Sequence, residues 1–338
     1  MNPLDPGTVA GVFDLGMPVG PLRPVTGGWS NRMWRLDTNR GSFAVKEFNR
    51  FWDSPVWLPW LEQAWEVERT AWSIGIRLPV PVPNPATGGC LAEVPVPGAA
   101  HPATVRVHHW VDAVPLGPGP VPPPVAAWVG STLARIHGLG IQPRDRSVLP
   151  TANSDEVAGW PELVGKAHAQ GSPFAAALHG LTPTLQGIAA LTQAAVAEGG
   201  AEVMSHTDVD QKNLLLRAGG PLLCDWDVCS AIVPRRELAE VALSMAGWTV
   251  GPPDPMVLRT VVEAYRGAGG HYTRPAAVDL GVSLGVSVDW LAFNVRRSLG
   301  ERAQDHGDVE LAGRLVPELV AALPRQLATA HDLPRLLA

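Results

Sequence analysis

The side chains best suited to chemistry stand in Ser205-His206-Thr207-Asp208-Val209-Asp210-Gln211-Lys212-Asn213, followed by Cys224-Asp225-Trp226-Asp227. Between them run two short apolar stretches, Leu214–Leu216 and Leu222–Cys224, joined at Gly219-Gly220, and this predicts a hairpin. Its open end brings Asn213 and Asp225 together, with Asp208 a few residues upstream. An amide oxygen and a carboxylate are hard ligands that suit Mg2+. A further carboxylate can take a proton from a hydroxyl. Phosphoryl transfer needs that combination of metal neutralisation, positioning and a base. The plain alternative is a polar loop capped by Asp208, with Asp225 ending a strand.

The N-terminal part supplies a second group. Phe43-Ala44-Val45-Lys46 places a lysine in an alternating strand, where its ammonium can meet phosphates. Lys46 is one of only three lysines among the 26 Lys and Arg residues, with Lys166 and Lys212. A carboxylate of the next helix must hold it, and Glu62, Glu66 and Glu68 are available. Glu68 is preferred because Trp65 and Trp72, at −3 and +4, set it beside the buried face. In Gly27-Gly28-Trp29-Ser30-Asn31, backbone N–H groups with Ser30 and Asn31 can cover phosphates; a simple hairpin turn is the equal alternative.

These groups need a scaffold. Strands are predicted at 22–25, 33–37, 43–48, 90–94 and 104–111, with a helix over 60–74. Leu78–Pro85 must be extended or looping, and Pro115–Pro124 is too rich in Pro and Gly for a helix or central strand. Helices follow at 124–137, 182–197, 237–247, 255–268, 289–297 and 308–323. The result is an α+β chain of two lobes, 1–111 and 112–338, with a ligand cleft between them. Net charge is −6, which disfavours nucleic acid and anionic membranes as partners. No run of about 18 apolar residues predicts a membrane span. Three cysteines without C-x-x-C spacing, and a start lacking a basic and apolar leader, point to the cytoplasm. A monomer or a homodimer fits equally.

Over roughly residues 20–300 the chain resembles the aminoglycoside phosphotransferase and choline kinase-like family, which has the protein-kinase fold. Gly-Gly-Trp-Ser-Asn and Ala-Val-Lys46 look like its N-terminal lobe, and Leu133-Ala134-Arg135-Ile136-His137 like the helix end behind its site. Ser205–Asn213 and Cys224–Asp227 look like its catalytic and metal segments and are the specific motifs. The resemblance implies that Asp208 is the base, that Asn213 and Asp225 hold Mg2+, and that Lys46 binds ATP phosphates and pairs with Glu68. It makes 108–111 an interlobe hinge whose backbone at His109, Trp110 and Val111 meets adenine; GTP stays open. It gives His137 and His206 structural roles. Thr207 stands where the family often has Gly, Glu237 where it commonly has Asp, and Trp226-Asp227 replaces Phe-Gly. Asp227 is left between orienting the metal site and capping a loop, and Lys212 between phosphate and solvent.

The acceptor implied is a small molecule with a hydroxyl, bound by extra C-terminal helices. Candidate contacts are Asp155, Glu156 and Trp160 in one insertion and Asp289, Trp290 and Asn294 in a later helix. An antibiotic, aminoglycoside-like or otherwise cationic or macrocyclic, is the preferred acceptor. A metabolic kinase of a sugar, amino alcohol or choline-like compound is the alternative. A silent nucleotide-binding scaffold is the alternative of another class.

Overall fold

The computed structural model describes residues 4–25, 31–48, 57–96, 98, 101–149, 155–301, 303 and 306–337. Gly27, Gly28 and Ser30 lie outside the described residues. The chain divides into two compact units. One comprises Met1–Leu116, Leu139–Leu149 and Met204–Ala231; the other comprises Gly117–Gly138, Pro150–Val203 and Ile232–Ala338.

The first unit opens with helix α1, Pro6–Val12. Asp5 caps it, accepting from the Thr8 N–H and hydroxyl at 2.7 Å each, and Pro6 sits at its start. Strands β1 (Arg23–Val25), β2 (Arg32–Thr38), β3 (Gly41–Glu47), β4 (Pro81–Val82), β5 (Leu91–Val94) and β6 (Ala103–His109) form an antiparallel sheet. Its order is β1-β2-β3-β6-β4, with β5 also on β6. Alternation gives the sheet two unlike faces. Phe43, Val45, Val105 and Val107 join Val9, Ala10 and Phe13 of the α1 segment in an apolar core. Ala44, Lys46, Arg106 and His108 alternate with them and so point to the other face.

Helix α2, Trp57–Ser73, starts one turn before the expected Trp60. Leu61, Trp65 and Glu68 are buried, whereas Trp72 is 47% exposed. Glu68 therefore lies on the buried face through Leu61 and Trp65, without Trp72. Short strands β7 (Val114–Pro115), β8 (Val203–Ser205), β9 (Leu214–Arg217), β10 (Gly220–Leu223) and β11 (Ser230–Ile232) follow. Pro115 is tolerated because β7 is an edge strand on β9. The predicted hairpin is β9–β10, with Leu214 opposite Leu223. Its two-residue loop is Ala218–Gly219, since Gly220 already pairs with Arg217.

The second unit is helical: α3 (Pro123–His137), α4 (Asp155–Ala158), α5 (Trp160–Ala169), α6 (Ala175–Gly180), α7 (Thr182–Glu198), α8 (Pro234–Met245), α9 (Pro255–Gly267), α10 (Gly281–Ser298) and α11 (His306–Leu336). The strand-rich start and helix-rich remainder bear out the α+β reading. Helix α10 begins two turns before the expected Asp289. Gly281 and Gly285 look like loop residues in sequence, yet a β-carbon there would meet the Leu191 carbonyl at 2.3 Å and the Thr192 hydroxyl at 3.0 Å, both on α7. They are the face of close helix contact. Helix α11 runs past Leu323 although Pro317 and Pro324 lie within it. Over Ala277–Ser298 the chain is long and apolar enough to cross a bilayer, and 56% of that window is buried within the protein.

Three buried groups cross-link α3, α8 and α9. His137 Nε2 donates to Glu237 at 2.7 Å, so its Nδ1 accepts from the Tyr265 hydroxyl at 2.8 Å. Burial, with the nearby Glu237 charge, pushes the Tyr265 phenol up to about 12, so it remains a donor. The longer Glu237 side chain, in place of the family's Asp, thus has a partner in His137.

Helices α3 and α9 also meet at Gly130, where a β-carbon would stand 2.2 Å from the Val261 carbonyl. Gly130→Ala is expected to destabilise the protein by about 1–3 kcal/mol in denaturant unfolding. Gly165→Ala, on an open position of α5 with no atom within 4 Å, is expected to gain about 0.5–1 kcal/mol instead.

Candidate active site

Asp208 follows β8 in a loop tied to the hairpin. The Cys224 N–H donates to the Asn213 carbonyl at 2.9 Å, closing the open end as predicted. Asn213 Nδ2 donates to the Asp208 carbonyl and to Asp208 Oδ2, both at 2.8 Å. Its Oδ1 has no partner among the described residues. Asp210 caps the turn Gln211–Asn213 through the Asn213 N–H at 3.3 Å. Lys212 Nζ reaches Asp208 Oδ1 at 2.9 Å and Asp210 Oδ2 at 2.7 Å. Burial opposes its charge, but Asp208 and Asp210 outweigh burial and raise its pKa. Lys212 thus lies between two carboxylates while remaining 40% exposed.

His206 is fully buried and bridges the loop to the Cys224–Asp227 segment. Its Nε2 donates to the Cys224 carbonyl at 3.0 Å, leaving Nδ1 to accept from the Asp208 N–H at 3.3 Å. Its ring meets Trp226 edge-on at 4.7 Å. Thr207 and Asp225 adopt left-handed backbone conformations, φ 59° and 65°. Such a conformation costs a non-glycine residue about 1–2 kcal/mol, which explains the family's frequent Gly at the Thr207 position. Here the Thr207 hydroxyl donates to the Val228 carbonyl at 2.7 Å, offsetting part of that strain.

On the polar face of the sheet, Lys46 Nζ contacts Asp225 Oδ1 at 2.6 Å and also Asp227 Oδ2. Burial alone would lower the ammonium's pKa, but the two carboxylates outweigh it and raise it. The expected Lys46–Glu68 pair is not formed. Arg106, opposite Lys46 in register, forks instead to Glu68 Oε2 and Asp227 Oδ1, and His108 Nε2 donates to Glu68 Oε1 at 2.9 Å. Glu68 is thus taken up by Arg106 and His108, while Lys46 turns to Asp225 and Asp227. Asp227 neither caps the next loop by a side-chain bond nor stands in solvent; it is the shared partner of Lys46 and Arg106. Burial pushes its pKa up, and the two cations more than reverse that. Arg106 and Asp227 were not identified as partners in the sequence, although Arg106 and His108 break the apolar strand at a period of two.

Asn213 Oδ1 and Asp225 fit a hard divalent cation. Asp225 is 39% exposed, and its second oxygen has no partner among the described residues. Along the expected hinge, the His109 N–H donates to Val80 and the Trp110 N–H to Ser42, at 2.8 and 2.9 Å. The Val111 N–H has no partner among the described residues. Asn31 lies half-buried immediately before β2.

The expected acceptor contacts lie in the second unit. Trp160 is 1% exposed, with its indole N–H on the Leu178 carbonyl, and Asn294 is fully buried with Nδ2 on the Trp290 carbonyl. Both are core residues and present no surface to a solute. Glu156 is held by Arg296 in a two-bond pair at 2.7 and 2.8 Å. Trp290 stacks on Phe293 at 5.4 Å. Asp289 is half-buried and lines a tight recess with Thr192 and Gly285. Asp155 starts α4, and its side chain is outside the described set.

His108 has a consequence for stability. Burial, then the neighbouring Arg106, hold its pKa down at about 3 against an ordinary 6.5. The folded protein keeps it neutral, while the unfolded chain takes up a proton below pH 6.5. Its contribution is therefore intact above pH 6.5 and is lost progressively as pH falls toward 3. His108→Gln keeps a donor for Glu68 and cannot titrate. Unfolding free energy measured between about pH 7 and pH 4 is expected to fall less in this variant than in the parent.

Among curated protein sequences none matches the chain. Among solved structures, the fold is similar to that of a spectinomycin phosphotransferase determined with ADP and spectinomycin. The TM-score is 0.65 at 13% identity, covering 91% of this chain and 94% of that one. An amicoumacin kinase with AMP-PNP and Ca2+ gives 0.63 at 12%, covering 90% of each chain. A microcompartment-associated aminopropanol kinase gives 0.59 at 14%, covering 96% and 98%. The fold is thus the two-lobed, protein-kinase-like one. Residues 21–278 match the sequence model of the phosphotransferase enzyme family, and the chain belongs to that family.

Proposed function

We propose that the chain transfers the γ-phosphate of ATP to a hydroxyl of a small cationic molecule, with an antibiotic as the preferred acceptor. The observation that carries this reading is the joining of Asp208, Asn213 and Asp225 at one hairpin end, with Lys46 on Asp225. Asp208 takes the acceptor's proton on a carboxylate oxygen; each oxygen keeps a lone pair beyond its bond to Lys212 or Asn213. The acceptor oxygen bonds to the γ-phosphorus as the bond to the bridging β-oxygen breaks, and ADP leaves. Asn213 and Asp225 would hold Mg2+, which supplies charge neutralisation to the phosphates when bound. Lys46 orients those phosphates.

At the hinge, the Val111 N–H can donate to adenine N1 or to guanine O6, so ATP is the preferred donor and GTP stays open. The acidic balance and the acceptors named for similar folds, spectinomycin and amicoumacin, support a cationic antibiotic. The aminopropanol and choline kinases among those folds favour an amino alcohol as the second reading. Cytoplasmic location is part of this proposal.

ADP release across a panel of hydroxyl compounds tests the reading. Asp208→Asn is expected to lower kcat by about 10²- to 10⁴-fold with KM for ATP little changed. Full activity in that variant would remove Asp208 as the base. ATP binding with no acceptor stimulating ADP release would favour the silent scaffold. Unchanged drug susceptibility of a host expressing the chain would favour the amino-alcohol reading.

A further inference from the structure

Lys46 and Arg106 face each other in register on β3 and β6, so two cations share one face of the sheet. Each needs a counter-ion of its own. Arg106, 1% exposed, reaches Asp227 with one Nη and Glu68 with the other, and its guanidinium lies 5.7 Å from the Trp65 ring. Glu68 gives its second oxygen to His108. Asp227 divides its carboxylate, Oδ1 to Arg106 and Oδ2 to Lys46. The Trp60 indole donates to the Cys229 carbonyl at 2.7 Å, tying α2 to the same segment.

We propose that Asp227, clamped by Arg106, is the fixed anchor of the phosphate-binding Lys46, and that Glu68 instead secures Arg106 and α2. The inference rests on the phosphate-binding reading of Lys46 given above. Asp225 is the other partner of Lys46, but it is part-exposed and suited to a metal. Once Asp225 turns to a cation, Asp227 is the carboxylate that still holds the ammonium. Asp227 and Arg106 are thus positioning residues that act through Lys46.

The full chain tests this with Asp227→Asn, Glu68→Gln, Lys46→Met and the double variant Glu68→Met/Arg106→Met. The readouts are ATP affinity by displacement of a fluorescent nucleotide, with Mg2+ and in EDTA, together with KM, kcat and the thermal midpoint. Asp227→Asn is expected to weaken ATP about tenfold with Mg2+ and less in EDTA, where Asp225 still holds the ammonium, and Glu68→Gln less than about threefold in both while lowering the midpoint. The double variant replaces a buried pair by apolar side chains, which folds commonly tolerate. It leaves Asp227 unclamped and is expected to weaken ATP toward the Asp227→Asn value. Equal weakening by Glu68→Gln and Asp227→Asn overturns the inference, as does wild-type affinity of Asp227→Asn with Mg2+. Wild-type affinity of the double variant removes Arg106 from the clamp and overturns it too. If Lys46→Met binds ATP as the parent does, the phosphate-binding reading itself falls and takes the inference with it.

Discussion

Two cations placed side by side on a sheet, and taken out of water, repel each other unless carboxylates come with them. In this protein Lys46 and Arg106 are that pair, and their counter-ions arrive from elsewhere in the chain. Glu68 comes from the following helix, and Asp225 and Asp227 from the end of the hairpin. Charge balance therefore locates sheet, helix and hairpin together, with side chains contributed from positions 46 to 227. Buried ion pairs add little net stability compared with apolar packing, yet breaking one leaves a charge stranded. Their use here is to fix position. A helix whose only carboxylate on that face is already bound has no second resting place.

Strain enters at the same spot. Thr207 and Asp225 are both left-handed; Thr207 precedes the proposed base, and Asp225 is itself a group that the proposed reaction uses. The hydrogen bonds around them, from Thr207 to Val228 and from His206 to Cys224, hold the loop and the Cys224–Val228 segment as one piece. A loop and a strand end held in this way can present Asp208, Asn213 and Asp225 without reorganising for each turnover.

Local pattern made much of this legible. The apolar runs on either side of Gly219-Gly220 required a hairpin, and a hairpin required Asn213 and Asp225 to meet. Alternation placed Lys46, and Trp65 placed Glu68 on a buried face. What remained hidden was the choice among partners. Glu68, Asp225 and Asp227 are chemically alike, and only strand register shows that Arg106 stands opposite Lys46 and takes Glu68 away. Two of the expected acceptor contacts are core residues for a related reason: Trp160 and Asn294 have the side chains of a binding wall, but periodicity cannot tell a wall from a core. Gly281 and Gly285 were hidden because the same residue breaks a lone helix and permits the tightest packing of two.

The scarcity of lysine takes on a practical meaning in light of the ion pairs. Of the three primary amines on side chains, Lys46 is buried between carboxylates and Lys212 lies between two more, leaving Lys166 on an exposed helix. Amine-acylating reagents require a free, neutral amine, and raised pKa values keep both site lysines charged. Such a reagent meets a surface almost bare of targets. Mass spectrometry of acylated protein would then read the two site lysines against Lys166, which pairs with Glu162 and Glu301 at the surface, with little background from other side chains.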